Sequence, residues 1–274
     1  MSKLIFNHKL VDKKDLNITI DNRSFLYGDG LFESIKIING KPFNLINHLN
    51  RLIKISSLIN LELNVSIEEF ESMISNLIKS NDIRNGGIIK IIIYREAGGK
   101  YLPKTNKSSF IILYKLTSNN IFKLNSIGLS LGIFRAHLKQ KGTLSNYKTT
   151  SAIQSVLCSI DANNKQKDDC LMLNSDSNII ESSNSNIFYI NNNNIYTPIL
   201  SEGCVDGTMR NIILGFGDLK LTEKIVSLED ILSSDEVFLT NAVHGIRWVS
   251  SIEEKIFSQY TFSELMINRL NKLV

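Results

Sequence analysis

Lys148, in the stretch LSNYKTTSAIQ, stands directly before two threonines and an apolar-periodic run. If Thr149 and Thr150 cap a helix there, the lysine feels the positive pole of the helix dipole, which favours a neutral, nucleophilic amine. Lysines also stand at helix starts with no such role. Glu181 interrupts the apolar and hydroxyl-bearing run NIIESSNSNIF. Buried in a strand it would need a cation; at a strand edge it would face water. In TPILSEGCVDGTMR, Gly207 and Thr208 open another apolar run. Backbone N–H groups at such a helix start suit a phosphate dianion, or simply begin an ordinary helix. YGDGLFES, residues 27–34, reads either as a hairpin corner or as the wall of a site.

These residues need elements to hold them. The β-branched run Leu31 to Ile38 predicts a strand ending at the Asn39-Gly40 turn. Leu45, Leu49, Leu52, Ile53 and Ser56 fall at helical spacing, which puts His48 and Arg51 three apart on one face. A second helix is expected from Ile67 to Lys79 with Ser66 as its N-cap. Ile88 to Tyr94 and Ser109 to Tyr114 read as inner strands. Beyond a lapse in the hydrophobic pattern, Gly128 to Phe134 resumes as strand and Thr149 to Asn163 as helix. CLMLNSDSNIIESSNSNIFYINNNNIYTP reads as a meander with Asn-rich turns, and a last helix opens at DGTMRNIIL. The fold class is α+β, in three segments: 1–115, a linker over 116–126, and 127–274, with Lys148 in the last.

Composition narrows the function classes. Apolar residues are 43% and charged residues 21% of 274, a globular balance. The formal charge of +4 is scattered, without the basic run interleaved with aromatics that marks a nucleic-acid surface. Cys158, Cys170 and Cys204 show no C-x-x-C spacing, and His8, His48, His137 and His244 form no metal motif. MSKLIFNHKL has no signal-peptide apolar stretch, and no apolar run is long enough to span a bilayer. The expectation is a cytoplasmic protein without metal, membrane or nucleic-acid partner.

Taken in order, YGDGLFES, NHLNRL, YKT, LNSDSNIIESSNSNIF, TPILSEGCVDGTMR and FLTNAVHGIRWV resemble the class IV aminotransferases, pyridoxal-phosphate enzymes of fold type IV. That family includes branched-chain and D-amino acid aminotransferases and aminodeoxychorismate lyases. The resemblance implies the two-domain D-amino acid aminotransferase-like architecture, a C-terminal pseudo-barrel, a homodimer and the cofactor pyridoxal 5'-phosphate. It implies that Lys148 bonds to the cofactor aldehyde and then shuttles protons, and that Glu181 contacts the pyridine nitrogen. Arg51 would offer its planar donor fork to the cofactor phosphate, beside the N–H groups of Thr208 and Met209 and the turn at Asn241-Ala242. Branched-chain enzymes carry threonine where Ala242 stands and tyrosine where Ile153 stands.

On the substrate side, Tyr27 and Phe32 agree with branched-chain enzymes, while Lys36 and Lys90 replace two of their arginines, keeping charge and losing bidentate geometry. YREAGGKYLP, residues 94–103, looks more like the loop of aminodeoxychorismate lyases, with Lys100 set to meet a carboxylate or simply solvated. The resemblance thus implies transamination between an amino acid and a 2-keto acid. The alternative is a lyase that releases pyruvate and p-aminobenzoate, and a more distant one is a noncatalytic carrier of the cofactor.

Overall fold

A computed structural model describes residues 2–117 and 120–274, which divide into two compact units. The first comprises residues 1–121 together with Lys148–Ala152, and the second comprises Phe122–Tyr147 and Ile153–Val274. Of the 116–126 linker, Ser118 and Asn119 lie outside the described residues.

The first unit has strands β1 (Lys3–Phe6), β2 (Lys9–Asp12), β3 (Gly30–Ile38), β4 (Lys41–Pro42), β5 (Gly86–Arg95) and β6 (Ser108–Thr117). They form an antiparallel sheet in the order β2-β1-β6-β5-β3-β4. Its inner strands are the isoleucine-rich runs, as their composition predicts. Asn39 and Gly40 both take positive φ, 50° and 72°, the backbone a tight hairpin demands. Helices are α1 (Arg23–Tyr27), α2 (Leu45–Leu58) and α3 (Ile67–Ser80). Leu49, Leu52 and Ile55 bury the apolar face of α2, and α3 begins with a capping box between Ser66 and Glu69.

Strand alternation sorts β3 into two faces. Leu31, Glu33, Ile35 and Ile37 point one way and are buried; Phe32, Ser34 and Lys36 point the other. The paired strand β5 adds Lys90 and Ile92 to that second face.

The second unit contains β7 (Leu129–Lys139), β8 (Asp169–Asn174), β9 (Ile179–Ser182), β10 (Asn186–Asn191), β11 (Asn194–Pro198), β12 (Leu221–Lys224), β13 (Glu236–Asn241), β14 (Gly245–Ile252) and β15 (Lys255–Ile256). β8 to β11 form the expected meander, turning at Asn192 and Asn193, both of positive φ. β7 joins it between β8 and β14, parallel to both. Its helices are α4 (Ile153–Asn164), α5 (Thr208–Leu214), α6 (Leu228–Leu232) and α7 (Thr261–Asn271). The core of this unit gathers Leu131, Ile133, Leu171, Ile187, Val237 and Val249.

Three expectations change. The helix read from Thr149 begins only at Ile153, because Thr149 bridges to Leu31 and Thr150 N donates to Gly30 O, which ties both residues to β3. The segment carrying Lys148 therefore packs in the first unit and not with residues 127–274. The helix at Thr208 is followed by α6 and α7; Ser227 and Asp230 form the capping box that starts α6.

Candidate active site

The octapeptide YGDGLFES is both a corner and a wall. Tyr27 ends α1, and Gly28 closes the helix at φ 65°, where its N–H reaches Ser24 O and Arg23 O. At Gly30 the chain passes so close to β5 that an added Cβ would fall 2.7 Å from Ile93 O. Between the glycines, Asp29 accepts from Arg23 Nε at 2.8 Å and from Arg95 Nε at 3.0 Å. Arg95 spends its other nitrogens on Ile59 O, Asn60 O and Asn106 Oδ1. Arg95 of the lyase-like loop is thus a brace.

Lys148 is pinned to that wall through its main chain. Its carbonyl accepts from Phe32 N at 3.1 Å, Leu31 pairs with Thr149, and Thr150 N donates to Gly30 O at 2.8 Å. Thr150 Oγ1 also donates to Gly28 O and accepts from Ser24 Oγ. Opposite Phe32 in this pairing, Lys148 projects onto the same face as that ring. Its Nζ lies 5.1 Å from the ring centroid, and Lys90 Nζ lies 4.9 Å from it. The structure so unites Phe32, Lys90 and Lys148, and corrects the reason given for Lys148: strand pairing, not a helix dipole, sets its position.

Lys36 is buried on the same strand face, and burial lowers its pKa. Tyr27 lies under the Arg23 guanidinium at 4.9 Å and beside the Tyr101 ring. Lys100 is exposed, and its carbonyl accepts from Arg23 Nη1 at 2.6 Å.

Arg51 is engaged within its own unit. Its Nε and Nη2 grip Glu33 Oε1 and Oε2, each at 2.6 Å, and His48 Nδ1 lies 2.7 Å from Glu33 Oε2. Through Nε and Nη2 its fork holds a carboxylate that is 2% exposed. Burial alone would raise the Glu33 carboxyl, but the Arg51 charge and the hydrogen bonds from His48 and Arg51 outweigh it and hold it at about 2.

In the second unit, Glu181 is buried, and its cation is Lys139, with Nζ 2.5 Å from Oε1. Oε2 accepts from Val205 N at 2.8 Å. Val205 also fixes the approach to α5, because its carbonyl accepts from Asn186 Nδ2 at 2.7 Å. Gly207 then opens α5 with no side-chain cap. A Cβ there would fall 1.9 Å from Asn186 Oδ1, so the turn has room for glycine alone. Thr208 and Met209 follow, both buried. Facing Asn186 in the β10–β13 pairing, Thr240 Oγ1 is buried with no hydrogen-bond partner. An uncapped helix start beside an orphaned hydroxyl fits a phosphate, and a cation-paired carboxylate fits a protonated ring nitrogen.

Asn241 builds the turn that the sequence places near this end. Its Oδ1 accepts from Val243 N and His244 N, and its Nδ2 donates to Asn184 Oδ1 and Ser185 Oγ. These four bonds hold the main chain of the turn that carries Ala242.

Over residues 30–252 the chain matches the sequence profile described as amino-transferase class IV. The chain belongs to the class IV aminotransferases. Members of this family are pyridoxal-phosphate enzymes. Among relatives, the D-alanine aminotransferase of Bacillus licheniformis is 25% identical over 92% of this chain and 88% of its own. The aminodeoxychorismate lyase of Bacillus subtilis is 29% identical over 90% and 86%. In fold, the branched-chain aminotransferase of Thermoproteus uzoniensis, solved with norvaline, superposes with a TM-score of 0.90 at 21% identity, covering 98% of this chain and 93% of that one. This likeness shows the α+β fold of fold type IV. Among the described residues no helix is long and apolar enough to cross a membrane.

Sequence reasoning missed Arg23, Glu33, Arg95 and Lys139. Each is a charged partner supplied from a different element, so no local pattern connects it to the residue it serves. The glycine that opens α5 makes a direct prediction. Gly207→Ala should cost about 1–3 kcal/mol by overpacking against Asn186, and should weaken retention of the cofactor; urea titration and cofactor absorbance after gel filtration check both.

Proposed function

We propose that this class IV enzyme transfers an amino group between an amino acid and a 2-keto acid. The observation that carries the reading is the pinning of Lys148 beside Phe32 of β3 and Lys90 of β5 on one face of their sheet. Pyridoxal phosphate, when bound, supplies an electron sink for charge that develops at the substrate α-carbon. Lys148 Nζ would hold the cofactor and then carry the proton between substrate atoms. Glu181, kept in place by Lys139 and the Val205 N–H, would hold a proton on the ring nitrogen. The N–H groups of Thr208 and Met209 would receive the phosphate, and by family analogy Arg51 would add its charge to the same group. Ala242 and the Asn241 turn would close that end.

Tyr27, Lys36 and Lys90 would take the substrate carboxylate as hydrogen-bond donor and point charges. Homodimeric assembly and a cytoplasmic location form part of this reading by family analogy alone. A second reading, the lyase that releases pyruvate and p-aminobenzoate, is favoured by the loop around Lys100, which Arg23 and Arg95 hold in a fixed form.

Assaying donor-dependent keto-acid conversion in parallel with p-aminobenzoate release from aminodeoxychorismate tests both. Transamination with at least one common amino acid is the expected result; release of p-aminobenzoate with no transamination across L- and D-donors would replace the first reading by the second. Glu181→Gln is expected to retain the cofactor and slow turnover by about 10²-fold or more, since a neutral amide cannot hold the ring proton. Single-turnover kinetics would show it, and a near-normal rate would remove Glu181 from this role.

A further inference from the structure

After β7 the chain runs to Lys148 through a short strap, residues 140–147, and after β11 it runs to α5 through a second loop, residues 199–206. Within the second unit these two segments are fastened side by side. Lys141 Nζ meets Glu202 Oε1 at 2.7 Å, and Gly203, at φ 97°, comes so near the strap that an added Cβ would fall 3.1 Å from Gln140 O. Lys139 Nζ, besides holding Glu181, donates to Ser145 O at 2.9 Å.

The end of the strap nearest Lys148 is fastened by Asn146. Its Nδ2 donates to Leu200 O at 2.8 Å and to Cys204 O at 2.7 Å, and its main-chain carbonyl accepts from Asp206 N at 2.8 Å. A side-chain amide nitrogen has two hydrogens, and both go to the one loop. Val205, between two of these contacts, gives its N–H to Glu181 and its carbonyl to Asn186. Gly207 then opens α5. Asn146 thus stands two positions before Lys148 in the chain and is bonded to the loop that carries the partner of Glu181 and leads into α5.

We propose that Asn146 is a positioning residue, which sets the strap ending in Lys148 against the loop opening α5 so that one cofactor molecule is held at its aldehyde and its phosphate together. The inference rests on the proposed function for those two ends. When two ends of one molecule are bound, the second contact is intramolecular, and the gain is lost where the spacing is loose. In this role Asn146 bonds to neither end, so its loss is felt in their joining and not in either end alone. Residue type matters as well. Alanine keeps only the main-chain bond from Asp206 N, while aspartate, of the same shape, has no hydrogens to give and turns a carboxylate toward two carbonyl oxygens.

Pyridoxal 5'-phosphate, pyridoxal and inorganic phosphate are the probes, titrated separately into cofactor-free full-length protein. The wild type is compared with Asn146→Ala, Asn146→Asp and Lys148→Ala, with a melting curve for each. Each Asn146 variant should weaken pyridoxal 5'-phosphate by about tenfold or more, while pyridoxal and inorganic phosphate each change by less than about threefold. Should aspartate prevent folding, the alanine variant decides alone. Unchanged affinity for pyridoxal 5'-phosphate, or equal weakening of all three probes, overturns the proposal. Loss of pyridoxal in Lys148→Ala with no effect of the Asn146 variants sinks this inference alone. Pyridoxal bound as well by Lys148→Ala as by the wild type removes the lysine end, and overturns the proposed function and this inference together.

Discussion

Replacing Lys148 with alanine is expected to lower turnover by about 10⁴-fold or more while leaving the thermal transition unchanged. The magnitude follows from the proposed role of Lys148, which would both hold the cofactor and move the proton, the acid–base part alone reaching about 10⁴. The stability expectation follows from the structure. Lys148 is fixed to β3 by its main-chain carbonyl and by Thr149 and Thr150, and alanine keeps all of those bonds. Steady-state assays with melting curves on the same preparation check the pair of statements. Substantial activity in a well-folded variant would dismiss Lys148 as the reacting lysine.

The largest stability effect is expected at Arg51. Arg51→Ala leaves the Glu33 carboxylate buried with His48 as its remaining partner of that triad, and breaking a buried pair this way costs about 3–5 kcal/mol. Chemical denaturation of the cofactor-free protein reads that loss apart from any effect on cofactor binding. A pH profile gives an independent check. Because the folded Glu33 pKa is about 2 and its ordinary value 4.5, its contribution is fully present above about 4.5 and is lost as pH falls toward 2. The wild-type protein should therefore lose stability through that window more steeply than Arg51→Ala. Equal slopes would mean that Arg51 is not what depresses Glu33.

What was legible in the sequence is what repeats locally. The β-branched run Leu31 to Ile38, the helical spacing of Leu45 to Ser56 and the Ser66 cap all reappear because each is decided within a few residues. Family order then nominated Lys148, Glu181 and the Gly207 turn, on which the proposed function rests. Thr149 and Thr150 misled because a hydroxyl pair before an apolar run is the usual mark of a helix start, and tertiary pairing with Leu31 overrode it. Nor did the sequence reveal that Glu33, fifteen and eighteen positions ahead of His48 and Arg51, turns toward them from a strand. Strand parity places Glu33 on the helix side, but only the packed fold says which helix waits there.

Loaned across the chain, Lys148–Ala152 also governs how the protein can be made. Its bonds to Gly30 and Phe32 join residues nearly 120 positions apart, a high-contact-order closure that comes late in folding. During synthesis the β3 segment must wait, with main-chain donors and acceptors unsatisfied, until residue 152 has left the ribosome. A fragment ending at Ile121 would carry that open edge permanently and is prone to self-association, and a peptide spanning 147–152 is the natural strand to restore it.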